Sequence, residues 1–101
     1  MILKKIKVDG QEITFGASAD TPRRFRIEFG KDLFKEMSGE VSPGTMEELA
    51  FTMMKQANPA AECTIDEWLD GFSGMGLYTA LPEIIGLWTG NTAKASTAKK
   101  K

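Results

Sequence analysis

The sequence predicts an α+β fold, mainly α: an N-terminal two-stranded β-hairpin, then about four helices, then a disordered C-terminal tail. Three observations carry this. Residues 2–17 are two β-rich runs around Asp9-Gly10, a dipeptide that suits a tight type I′ turn. From residue 21 to residue 90, apolar residues recur at three- and four-residue spacing between helix-capping signals. Beyond Thr89 the chain is Thr, Ala, Ser, Gly, Asn and Lys, a composition that cannot bury a core. Strands and helices do not alternate, so no βαβ unit is expected. Residues 1–90 are expected to form one domain and 91–101 a disordered tail.

In the hairpin, a two-residue turn pairs Val8 with Gln11, Lys7 with Glu12 and Ile6 with Ile13. Ile6, Val8, Ile13 and Phe15 then share one face, and Lys5, Lys7, Glu12 and Thr14 share the other. Lys7 opposite Glu12 is a favourable cross-strand pair. A lone hairpin is marginal in water, so this one must lie on the helices or join another sheet.

The first helix is expected to open at Thr21-Pro22, with Thr21 as cap and Pro22 where its missing N–H costs nothing. Phe25, Phe29, Leu33 and Met37 form its apolar stripe, with Phe34 beside them, and Gly30 weakens its interior by about 1 kcal/mol relative to alanine. Residues 38–44 read as a loop. Thr45-Met46-Glu47-Glu48 is a capping-box sequence opening the second helix, whose apolar face is Met46, Leu49, Ala50, Met53, Met54 and Ala57. Asn58-Pro59 stops it.

Thr64-Ile65-Asp66-Glu67 is a second capping box, followed by Ile65, Trp68, Leu69 and Phe72 on one face. Glycines at 71–76 break the chain. A last helix carries Leu77, Leu81, Ile84, Ile85 and Trp88, with Pro82 in or near its first turn, where proline costs least.

The 101 residues carry a net charge of −1 and no histidine. Near-balance argues against a dedicated nucleic-acid binder, whose affinity rests on an excess of Lys and Arg. Without histidine there is no Ser-His or Cys-His pair and no ordinary zinc site, so no enzyme, cofactor or metal is expected. No apolar run reaches the ~20 residues of a membrane span. Residues 1–7 alternate apolar and basic, unlike a signal peptide. Cys63 is the single cysteine; it reads as a structural thiol in a reducing cytoplasm. Asp66, Glu67 and Asp70 fall in the first turns of a helix, where carboxylates favour the dipole.

Arg23, Arg24 and Arg26 crowd the first turn of the first helix, where positive charge is unfavourable, although Arg24 is spaced to pair with Glu28. They form either a solvated face or a recognition edge for a partner's carboxylate or phosphate. Phe51 lies off the stripe of the second helix and is expected as exposed apolar surface. Met54, in a methionine-rich stretch suited to varied apolar surfaces, joins it. Arg23, Arg24, Arg26, Phe51 and Met54 are the expected partner-binding residues. The unpaired edges of the hairpin are the expected route to self-association. Lys99-Lys100-Lys101 reads as a solubilising tail.

Three segments together resemble one family. Lys4-Lys5-Ile6-Lys7-Val8-Asp9-Gly10-Gln11-Glu12-Ile13-Thr14-Phe15 is similar to the opening hairpin of tail assembly chaperones of long-tailed phages and prophages of Gram-positive bacteria. Thr21-Pro22-Arg23-Arg24-Phe25-Arg26 with Glu28-Phe29-Gly30-Lys31-Asp32-Leu33 resembles their most distinctive block. Ile65-Asp66-Glu67-Trp68-Leu69-Asp70-Gly71-Phe72, followed by Leu81-Pro82-Glu83-Ile84 and Trp88, resembles their C-terminal helices. The resemblance implies a non-enzymatic protein of the host cytoplasm, absent from the mature virion. It implies binding to the tape measure protein, which the chaperone keeps soluble, and recruitment of tail tube protein subunits. It also implies that this chain is the short form of a pair related by ribosomal frameshifting. The rival readings are a structural tail or head–tail connector component and, less in keeping with the charge balance, a small nucleic-acid-binding regulator.

Overall fold

A computed structural model describes residues 1–90 of the chain; the expected tail at 91–101 lies outside the described residues. The hairpin strands β1 (Ile2–Val8) and β2 (Gln11–Ala17) are followed by α1 (Thr21–Phe29), α2 (Leu33–Glu36), α3 (Pro43–Ala57), α4 (Ile65–Asp70) and α5 (Gly76–Thr89). The fold is α+β and mainly α, as the pattern predicts.

Hairpin register follows from its turn. Asp9 (φ 54°) and Gly10 (φ 82°) take the left-handed conformations of a type I′ turn, and Val8↔Gln11, Lys7↔Glu12 and Ile6↔Ile13 pair as expected. Ile6, Val8 and Phe15 are buried with Ile13 half-buried beside them, so this face meets the helices. α3 lies against β2, α5 against β1, and α3 also touches α1, α4 and α5. One apolar cluster results, running from Ile6 and Phe15 through Phe25, Leu33, Leu49 and Met53 to Leu77 and Ile84.

Four local expectations are corrected. The single helix expected over the Phe25–Met37 stripe is two helices. Gly30 adopts φ 69° and caps α1, its N–H donating to the Arg26 carbonyl at 2.7 Å; glycine takes this left-handed cap at little cost. Asp32 then starts α2, its carboxylate accepting from the Phe34 N–H at 3.1 Å. Phe34 consequently leaves the core: it is exposed and touches Trp88, with ring centroids 5.9 Å apart.

Thr21 does not cap α1. It is buried, and its hydroxyl donates to Gln56 Oε1 on α3 at 2.8 Å while accepting from the Ser18 N–H at 3.0 Å. Gln56 Nε2 donates to Ser18 Oγ at 2.7 Å, closing a ring that fixes the start of α1 on α3.

α3 begins at Pro43 with Ser42 as cap, and Thr45 is the donor in that cap (N to Ser42 Oγ, 3.1 Å) rather than its acceptor. Proline at the first helical position favours the earlier start. Pro82 sits well inside α5 rather than in its first turn, because the helix starts at Gly76. It lies on the exposed side, and its missing N–H leaves the Tyr78 carbonyl without the donor four residues on. The second capping box is present as expected, with reciprocal bonds between Thr64 and Glu67 of 2.9 and 3.1 Å.

Candidate partner-binding site

α1 crosses α3 so that the outer side of α1 and the middle of α3 border one cleft of about 290 Å³. It is lined by Arg23, Arg24, Ile27, Glu28, Phe51, Thr52, Lys55 and Pro59. The position of α1 is set by Phe25 and Phe29 beneath it: Phe25 is fully buried, and Phe29 packs on Phe51 with ring centroids 6.2 Å apart. The ring made by Ser18, Thr21 and Gln56 holds the other end.

The crowding of positive charge at the start of α1 has a local answer. Asp20 precedes the helix and takes Arg23 in a two-point grip, Nε to Oδ1 at 2.6 Å and Nη2 to Oδ2 at 3.1 Å. Arg24 Nε reaches the same carboxylate at 2.9 Å. Arg24 therefore pairs back to Asp20, not forward to Glu28. The hydrogen bond from Arg23, with smaller contributions from Arg24, holds the Asp20 carboxyl below its usual range. The same bond holds the Arg23 guanidinium further toward its charged form. The Asp20 carboxylate makes no cap bond to backbone N–H groups; it offsets the arginines instead.

Ile27 lines the cleft together with Arg23, Arg24 and Lys55 and is 67% exposed, an apolar side chain among cations. Lys55 rises from α3 with its Nζ 5.6 Å from the centre of the Phe51 ring, a distance at which an ammonium is attracted to the ring face.

The expected partner-binding residues are thus divided. Arg23 and Arg24 meet in the cleft. Arg26 is exposed but outside it, in the last turn of α1, where its charge favours the dipole. The expectation of an exposed Phe51 is overturned: the ring is 0% exposed and lies under Lys55 between Phe29 and Trp68. Met54 is 5% exposed and belongs to the core as well. Phe51 is buried because α3 is covered on several sides and not along one stripe, whereas Met54 is buried on the stripe itself. Asp20, Ile27 and Lys55 are additional members of the site. Ile27 had a visible signal, an isoleucine between Arg26 and Glu28 off the Phe25/Phe29 stripe; Lys55 and Asp20 had none beyond their charge.

Among the described residues no helix is long and apolar enough to cross a membrane. No family model, no curated protein and no solved structure matches this chain.

Proposed function

We propose that this chain is a non-enzymatic tail assembly chaperone that binds the tape measure protein, keeps it soluble and helps recruit tail tube subunits. It acts in the host cytoplasm and does not remain in the mature virion. The observation that carries the reading is Ile27, an exposed apolar residue bordered by Arg23, Arg24 and Lys55. Such a site suits a client helix that offers an apolar anchor with Asp or Glu one turn away, docking by its side chains. A cleft of about 290 Å³ takes one or two side chains, not a whole helix, so each contact is weak and a long client is held at several points by several copies. Weak contacts are what a chaperone needs, because tube subunits must displace it.

Co-expression with the neighbouring tape measure protein, followed by a pull-down on this chain, is the test. Wild type is expected to solubilise and retain the client. Ile27→Glu is expected to fold as wild type, since the residue is exposed, and to lose the client. A client left insoluble and unbound by the wild-type chain refutes the chaperone reading and favours a structural tail component. Equal solubilisation by Ile27→Glu moves the client site elsewhere.

A further inference from the structure

A second surface, away from this cleft, is the outer edge of β1. In a hairpin closed by a two-residue turn, Val8 and Gln11 exchange both hydrogen bonds, and the pairs alternate from there. Ile2, Lys4, Ile6 and Val8 therefore bond inward to β2 in the observed register, and Leu3, Lys5 and Lys7 direct their N–H and C=O groups outward. Among the described residues these outward groups have no hydrogen-bond partner. The opposite edge differs: the Thr14 carbonyl of β2 already accepts from Asn58 Nδ2 at 3.0 Å, so the end of α3 partly covers it.

The outer face of the β1 edge carries Lys5 and Lys7, with Glu12 of β2 directly across from Lys7. Lys4 is paired with Glu83 of α5 at 3.0 Å, and Asp9 is occupied by the Ser73 N–H and hydroxyl at 2.9 and 3.1 Å. Lys5 and Lys7 are exposed, and among the described residues neither makes an ion pair. Beside this edge, between the β1 end of the hairpin and α5, runs a cleft of about 420 Å³ bordered by Lys7, Asp9, Gly10, Gly76, Thr79, Ala80 and Glu83. Small residues on α5 leave room there for side chains of an added strand.

A second copy is a poor occupant. In an antiparallel β1–β1 pairing of two copies that aligns the outward groups, three registers pair more than three residues of each strand. They set Lys4 against Lys4, Lys5 against Lys5, or Lys5 against Lys7. Like charges directly opposite are destabilising, and lysine on an edge is a common guard against self-pairing.

We propose that the β1 edge binds an extended acidic segment of a partner protein by strand addition. Its backbone bonds to Leu3, Lys5 and Lys7, and its Asp or Glu side chains, two residues apart, lie beside Lys5 and Lys7. Main-chain bonds supply affinity in this mode and alternate side chains supply selectivity. This surface is independent of the Ile27 cleft, so either can fail without the other.

The test uses the full chain and a synthetic peptide, acetyl-Ser-Val-Glu-Val-Glu-Val-Ser-amide, against the same peptide with Lys for Glu. Amide NMR shifts and hydrogen exchange are the readouts. The acidic peptide is expected to shift and protect the Leu3, Lys5 and Lys7 amides; the basic peptide is not. Lys5→Glu, which keeps every backbone group, is expected to weaken the acidic peptide by about fivefold, the change from an attractive to a repulsive cross-strand pair. Lys5→Pro removes one outward N–H at a position where an edge strand tolerates proline and is expected to abolish protection at Leu3 and Lys7 with the hairpin shifts retained. Equal response to both peptides, shifts confined to the Ile27 cleft, or protection that rises with protein concentration alone would each overturn the proposal, the last in favour of a second copy.

Discussion

Replacing Phe51 by alanine removes the middle of a row of rings. Phe51 joins Phe29 on α1 (6.2 Å, 67°) to Trp68 on α4 (5.7 Å, 56°), and beyond these lie Phe25 and Phe72, 5.5 and 5.1 Å further on. The side chain is fully buried. Truncating a buried phenylalanine costs about 3–5 kcal/mol, because the cavity closes only in part. A domain of this size has roughly 5–15 kcal/mol in hand, so the variant loses a large share of it. With a urea m-value of about 1.2 kcal/mol/M, the midpoint falls by at least about 2 M. Phe51→Leu separates the ring contacts from the volume: it forfeits two aromatic pairs, about 1–3 kcal/mol. Urea unfolding followed by tryptophan fluorescence is the assay, since Trp68 is one of the ring neighbours. Ile27→Ala, on the exposed side of α1, is the control and stays within about 0.5 kcal/mol of wild type. A midpoint shift under about 0.5 M for Phe51→Ala, with an unchanged slope, refutes the placement of this ring in the core and restores it as a contact residue.

Two further substitutions test how the site is held. Thr21→Val keeps the shape of the side chain but leaves Gln56 Oε1 and the Ser18 N–H without their partner; a loss of about 1–3 kcal/mol is expected in the same urea assay, and no loss would mean that water replaces the hydroxyl. Gly76→Ala tests the contact between the hairpin turn and α5. A Cβ there would stand 2.8 Å from Asp9 Cβ and 2.9 Å from Asp9 Cα. The overpacking costs about 1–3 kcal/mol, and at the first residue of α5 alanine regains less than its interior advantage of about 1 kcal/mol, so thermal melting should show destabilisation; a raised Tm would show that the turn moves away freely.

Period and turn chemistry made part of this fold legible. Asp9-Gly10 set the register of the hairpin, and alternation along Ile6-Lys7-Val8 showed its buried face. Thr64 and Glu67 announced α4, because a capping box is local chemistry. The burial of Phe51 has no sequence signal, for a reason that lies in tertiary structure. A single stripe describes a helix buried on one side, whereas α3 meets β2, α1, α4 and α5. Thr45, Thr52 and Gln56 are buried along with Phe51, and nothing in the spacing distinguishes them from surface residues. Gly30 reads in the sequence as a weak point within one helix, whereas its left-handed conformation ends that helix and turns Phe34 outward. In the site, Arg23 and Arg24 were conspicuous by charge density alone. Their partner Asp20 and the lysine facing them were not, since one depends on where α1 starts and the other on how α1 crosses α3.

Asp20 has a consequence for how the proposed site would work. Both guanidiniums in the cleft are already bonded to its carboxylate, so a client carboxylate that takes an arginine exchanges with Asp20, and Lys55 is the cleft's cation without an ion pair among the described residues. Exchange of one exposed ion pair for another gains little, which leaves Ile27 to supply the anchor and keeps the complex easy to displace. Asp20→Asn tests this, since it retains the shape and removes the charge. The folded-state pKa of Asp20 is depressed by its bonds to Arg23 and Arg24. Its contribution to stability is therefore fully present above the unfolded-state value of about 3.9 and is lost as pH falls through the lower folded-state value. Chemical denaturation from pH 6 to pH 2 should show wild type ahead of Asp20→Asn at the upper end, with the gap closing in acid. In the pull-down at neutral pH the same variant should hold an acidic client more tightly and release it more slowly, because two arginines are freed. Weaker retention by Asp20→Asn, with the fold intact, would mean that Asp20 orients the arginines for the client and does not compete with it.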